Sequence, residues 1–217
     1  MILRWLVLLV TITAFTAHAQ LSGCRNITVH VQHRELPGPV YAAYAEREAG
    51  KMLATAGVQV TWTTATPNRS QDHCGPPIVV RFATDNHSAS NPRSFAYARP
   101  FNPDVSEITI FWDKLRKISA RNMCPLGDLL AHVLAHESAH IFQARDYHAD
   151  SGLMRSSWTA RDYFQMMRGH LPFTQTDIQL VQEGVEFRAA HGVRQLAAGN
   201  STASRSGTDL DAVLWER

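Results

Sequence analysis

The stretch from Pro125 to His140, PLGDLLAHVLAHESAH, decides how the rest of the chain is read. Leu126, Leu129, Leu130, Val133 and Leu134 recur at spacings of three and four, the period of an amphipathic helix. Pro125 suits the first turn of such a helix, where a backbone N–H would lack a partner in any case. The spacing predicts a helix that runs past His140. Residues four apart stand one above the other on a helix face, so the imidazoles of His136 and His140 can grip one ion. Glu137 lies about 100° round the helix. It is placed to reach a water beside that ion, as a general base would. His132 extends the same stripe by one turn and reads as a packed residue supporting the site, not as a ligand.

Upstream, strand and helix periods alternate. Ile27, Val29 and Val31 alternate with Thr28 and His30 in a first strand. Pro37 and Pro39 mark a turn. A helix is expected from Val40 to Ala56, with Tyr41, Tyr44, Ala45, Glu48, Met52, Leu53 and Ala56 on its core face. Gly57 suits the position just past its end. Val58, Val60 and Trp62 mark a second strand and 78–82 a buried third. A weaker strand, Ser94 to Ala98, is expected at a sheet edge, and Ile108, Ile110 and Trp112 alternate in a fifth. This order predicts an α+β fold, a mixed sheet with a covering helix, followed by the site-bearing helix.

Downstream, a loop passes through Ser151 and Gly152. A last helix should start at Thr174, with Asp177 completing a capping-box variant. Its apolar face is Ile178, Val181, Val185 and Ala189, and Gly192 should end it. Residues 193–217 are rich in Gly, Ser, Thr and Ala and read as a mobile tail.

The chain has 217 residues and a net charge of +2, enough for one core and too near neutral to imply nucleic acid as a partner. Arg4, an apolar stretch to Ala17 and the Ala17-His18-Ala19 triplet read as a signal peptide over 1–19, leaving 20–192 as the domain. A second reading is that Leu21-Ser22-Gly23-Cys24 is a lipobox, with Cys24 carrying a lipid anchor. Either way the chain is expected outside the cytoplasm, secreted or periplasmic, without a membrane span and as a monomer. Cys24, Cys74 and Cys124 then allow one disulfide and one odd thiol.

The run His136 to Arg155, HESAHIFQARDYHADSGLMR, resembles the active-site segment of the metzincin-like zinc peptidases. It is closest to bacterial secreted proteins with an HExxH…H…GxM pattern. The resemblance implies a zincin-type fold, Zn2+ held by His136, His140 and His148, Glu137 as the catalytic base and Met154 in a Met-turn. It implies a secreted endopeptidase acting on peptide or protein substrates. Ser94 to Ala98 would be the cleft-rim strand to which a peptide adds. A catalytically inactive metal-binding or adhesion module on the same fold, and a non-proteolytic zinc amidohydrolase, are the alternative functions. Tyr163 is a further candidate for polarising a carbonyl, although packing is its plainer role.

The segment departs from the family where the helix must reverse. Gln143 and Ala144 stand where glycine is usual, and neither enters a left-handed turn cheaply. The turn is therefore expected later, at Arg145 to Tyr147. Asp146 has the standard metzincin spacing for a third ligand. His148 has the spacing of the bacterial group and the imidazole that suits zinc, with Asp150 a lesser candidate. The three ligand nitrogens are expected within about 4 Å of one another. If the first and third strands are parallel neighbours, as in the metzincin sheet, Cys24 and Cys74 start at one end and can pair. A lipidated Cys24 would leave Cys74–Cys124 instead.

Overall fold

The computed structural model describes residues 24, 26–33, 36–68, 74–84, 95–100 and 104–203. The expected signal segment, Ser94 and residues 204–217 lie outside them. Among these residues five strands and five helices follow one another. They are β1 (Asn26–Gln32), α1 (Pro39–Thr55), β2 (Gln59–Thr63), β3 (Ile78–Ala83), β4 (Ala96–Arg99), β5 (Ser106–Phe111), α2 (Trp112–Asn122), α3 (Leu126–Gln143), α4 (Ala160–Met166) and α5 (Gln175–Ala203). The sheet order is β2-β1-β3-β5-β4. β4 runs antiparallel to β5 at one edge, and every other pairing is parallel. The expected mixed sheet with a covering helix is therefore present.

Parallel pairing of β1 with β2 requires a crossover, and α1 supplies it. Val29, Val31, Val80, Ile108 and Ile110 point from the sheet into the core, where α1 and α3 cover them. α1 packs on α3 more extensively than any other two elements pack together. Its buried face is Ala42, Ala45, Glu46, Ala49, Met52 and Leu53. The expected face was rotated from this one, because Tyr41 and Tyr44 are exposed. Alanines at the contact let the two helices approach closely, and the tyrosines flank it. Tyr44 lies so near α3 that a Cβ on Gly127 would sit 2.9 Å from its ring.

Two helices went unforeseen. α2 begins at Trp112, which was expected to close the fifth strand. Only Trp112 and Leu115 of α2 are buried, so its apolar period is too sparse to register. α4 is seven residues long, below the reach of periodicity, and is set by a capping box between Thr159 and Asp162. α5 corrects the other end. Thr174 and Asp177 do cap it reciprocally, at 2.7 and 3.1 Å. The helix then continues through Gly192 to Ala203. A single glycine costs a helix about 1 kcal/mol, and the following Arg194-Gln195-Leu196-Ala197-Ala198 run favours helix strongly. Gly184 lets α5 cross the end of α3, since a Cβ there would lie 2.0 Å from the Phe142 carbonyl oxygen.

Cys24 and Cys74 form a disulfide with their Cα atoms 5.2 Å apart. They precede β1 and β3, which are parallel neighbours, so both start at one end of the sheet. The bond closes a loop of sequence separation 50, worth about 4 kcal/mol in the chain-entropy treatment. Cys124 is free and buried.

The turn after α3 is also a correction. Ala144 itself takes the left-handed conformation, with φ 48° and ψ 41°, and its N–H reaches back to the Ile141 carbonyl. An alanine tolerates this at a cost of roughly 1–2 kcal/mol, which the surrounding packing imposes. Ala144→Gly is therefore expected to raise stability by about 1 kcal/mol, read as a higher urea midpoint. A lower midpoint would show that the methyl group contributes more packing than the backbone costs.

Candidate metal centre

α3 is amphipathic in sequence yet buried on nearly every side. Its polar stripe of His132, His136, Glu137, Ser138 and His140 is enclosed together with its apolar one. Buried imidazoles need partners, and each of these finds a backbone group. His136 Nδ1 lies 2.8 Å from the Leu153 carbonyl oxygen, and His140 Nδ1 lies 3.3 Å from that of Arg145. A carbonyl only accepts, so both Nδ1 atoms carry the proton and both Nε2 atoms present lone pairs. The two Nε2 atoms face each other 3.0 Å apart. Two lone pairs at that distance repel unless a cation or proton lies between them.

His148 completes the group. Its ring centroid is 5.4 Å from that of His136 and 4.7 Å from that of His140. One ligand atom from each of the three lies within 4.8 Å of the others. This bound is looser than the expected 4 Å, and His148 is the exposed member of the set. No Asp or Glu joins the cluster among the described residues, so Asp146 and Asp150 stand outside it. Asp146 is exposed and acts through its charge on Glu137 and His140.

The loop beneath the site holds His148 in place. The Ala149 N–H donates to Met154 O at 2.9 Å, and the Leu153 N–H donates to Pro172 O at 2.8 Å. Met154 is fully buried there. Gly152 makes the bend at φ 77°, and a Cβ on it would lie 2.3 Å from the Pro172 oxygen. His132 stands apart from the cluster. Its Nε2 accepts from the Leu171 N–H at 3.1 Å, and its Nδ1 donates to Asp128 O at 2.7 Å. With both nitrogens engaged by backbone, it is a packed residue.

A cleft of about 920 Å³ opens over these groups. Glu137, His136, His140 and His148 line it on one side and Tyr97, Ala98 and Arg99 of β4 on the other. Trp158 forms part of the wall. Its ring stands edge-on to His136 at 5.5 Å and to Tyr163 at 6.4 Å, and its Nε1–H donates to Leu153 O at 3.2 Å. Nothing in the sequence marked Trp158, which lies in a polar Ser-Ser-Trp-Thr run outside any period. Tyr163 also faces the cleft, and burial raises its pKa first, with Cys124 and Asp162 adding to the effect.

The electrostatics follow from burial. Desolvation takes His136 down to about 3, with help from His140. Desolvation and the neighbouring His148 take His140 to about 4. His132 falls to about 4, again chiefly by desolvation. Glu137 moves the other way, to about 8, through desolvation and then the charge of Asp146. The imidazoles of His136, His140 and His148 are a donor set for a borderline-soft divalent metal.

No protein-family model and no curated protein matches the chain. Among solved structures it is similar to one titled "GM1 bound form of the ECX AB5 holotoxin". The identity is 18%, the match covers 79% of this chain and 82% of that one, and the TM-score is 0.38. A likeness at that score carries no argument.

The burial gives the metal-free protein a defined pH profile. The histidine pKa values fall from 6.5 to about 3 or 4 in the fold. Unfolding below pH 6.5 therefore takes up protons, and stability rises with pH toward that value. Glu137 rises from 4.5 to about 8. Unfolding in that window releases its proton, so this group lowers stability as pH rises. Three histidines outweigh one carboxyl below 6.5, and above it only Glu137 acts. With chelator present, urea midpoints are expected to peak near pH 6.5. Glu137→Gln is expected to flatten the decline from there to pH 8. An unchanged decline in the variant would refute a neutral, buried Glu137.

Proposed function

We propose that the protein is a secreted zinc-dependent endopeptidase with a metzincin-like site. One observation carries the reading. A buried carboxyl with a raised pKa, Glu137, shares a cleft with three converging imidazoles and faces a sheet edge. A site built only to hold metal has no use for the carboxyl. His136, His140 and His148 would hold the metal where they line the cleft. The Nδ1–H donations of His136 and His140 to backbone suit zinc, because the second nitrogen of a ligating histidine ordinarily donates to such an acceptor. Zinc supplies a Lewis acid that polarises a carbonyl oxygen and lowers the pKa of water to about 7.

The chain's own groups do the rest. Among the described residues β4 lies at an edge of the sheet and pairs with β5. An extended peptide would add alongside Tyr97 to Arg99, where the strand lines the cleft, with sequence-tolerant hydrogen bonds. Glu137 removes a proton from the attacking water at its carboxylate and delivers it to the leaving amine nitrogen. A cation held by the imidazoles would favour the ionised form of Glu137, the form that accepts a proton. Trp158 and Tyr163 form a dry wall beside His136. Tyr163 lines the same cleft and would be a candidate to donate to a substrate carbonyl, with packing its plainer role.

Export from the cytoplasm is supported by the Cys24–Cys74 bond, which needs an oxidising compartment. That bond engages the sulfur a lipid anchor would require, which favours plain secretion. No helix among the described residues is long and apolar enough to cross a membrane.

Two measurements test the proposal. Zinc content and turnover of a broad peptide library are compared in wild type and Glu137→Gln. Equal zinc with turnover lowered by ~10²–10⁴-fold is expected, and equal turnover in both would refute the mechanism. His148→Ala is expected to weaken zinc binding at least tenfold in a chelator competition, whereas Asp146→Ala leaves the ligand set intact. A larger loss from Asp146→Ala would return the third ligand to the standard metzincin spacing.

A further inference from the structure

Three arginines converge on the cleft from separate segments. Arg99 from β4, Arg145 from the turn after α3 and Arg155 from the loop before α4 all line it. Asp146 and Glu137 are the acidic residues that line it with them.

Among the described residues each arginine meets one carboxylate, and each of those carboxylates has a further donor. Arg99 stands 3.9 Å from Glu107, which lies nearer to Arg81, at 3.3 Å. Arg145 stands 3.6 Å from Glu183, which also accepts from Gln179 Nε2 at 3.0 Å. Arg155 reaches Asp162 Oδ2 at 3.3 Å, and the same oxygen accepts the Thr159 N–H and hydroxyl at 2.7 Å each. Guanidinium carries five donors in a planar fork suited to carboxylate. Here each fork meets its partner through one nitrogen at long range, which leaves most donors for something in the cleft.

We infer that the peptides this site takes carry acidic side chains flanking the bond to be cut, read by Arg99, Arg145 and Arg155. This rests on the peptidase reading and adds the substrate class to it. The three arginines come from separate segments of the wall, so they read more than one substrate position. Arg99 follows Tyr97 and Ala98 along the edge strand, where an added peptide strand would present alternate side chains to it. Its guanidinium lies 5.1 Å from the Tyr97 ring centroid, which holds it over that face. An extended polypeptide fits a cleft bounded by a strand edge better than a sugar polyanion does, because the edge offers backbone donors and acceptors in strand register.

The test is binding, separate from turnover. Glu137→Gln protein is titrated with a labelled Asp/Glu-containing peptide and its Asn/Gln isostere, followed by fluorescence anisotropy. The acidic peptide is expected to bind roughly tenfold more tightly at low salt, with most of the difference lost near 0.5 M salt. Arg99→Gln, Arg145→Gln and Arg155→Gln are each expected to shrink the ratio, and the triple variant to abolish it. All three side chains are substantially exposed, and a thermal midpoint near wild type checks that each variant is folded. Equal affinity for the two peptides, or a ratio that survives the triple variant, would overturn the inference. So would a sulfated oligosaccharide that binds as tightly as the acidic peptide. Acid-selective binding without turnover in the wild type would sink the peptidase reading alone, and turnover without acid selectivity would sink this inference alone.

Discussion

Two imidazole lone pairs face each other across 3.0 Å inside a helix that is buried almost all round. Much of the surrounding architecture serves that constraint. Each ring must keep its proton on Nδ1, so a carbonyl must be delivered to each from outside the helix. Leu153 delivers one from the loop after the site, and Arg145 delivers the other from the turn itself. The Arg145 carbonyl reaches back to His140 because the chain reverses at once after Gln143, and that demands the left-handed backbone at Ala144. The crossing of α5 at Gly184 then covers the helix end.

Much of this was legible in the sequence, and the reasons differ by feature. Strong periods gave the strands, α1, α3 and the start of α5, because burial of one face leaves a regular mark. The HExxH spacing gave His136, Glu137 and His140, since helix geometry alone brings positions four apart together. His148 came from family resemblance and meets the pair through a loop whose path no periodicity encodes. Ala144 misled because intrinsic preference was weighed without tertiary context, which here overrides a cost of about 1–2 kcal/mol. The rotation of α1 was missed for a related reason. The expected face included Tyr41 and Tyr44, but close helix approach selects small side chains such as Ala42 and Ala49. Trp158 had no mark at all, because a single aromatic in a polar loop looks the same whether it packs on a ligand or on nothing.

The sheet edge and the helix form two unlike walls of one cleft. β4 brings backbone groups and the Arg99 side chain to it, while α3 and the segments after it bring imidazoles, a carboxyl and two further arginines. Among the described residues β4 pairs with β5 and packs on α3, and α3 is held in turn by α1, the sheet and α5.

The Leu153 carbonyl accepts from both His136 and Trp158. A single oxygen is in this way the common pivot for the His136 imidazole and for the aromatic wall beside it. It sits in a backbone tie between the Ala149–Met154 and Leu153–Pro172 contacts. The directions of the two rings are therefore coupled through one backbone atom. Substitutions in 149–155 that touch neither ring would shift both through that oxygen, so that drift in this loop is felt as a correlated change in imidazole direction and cleft shape.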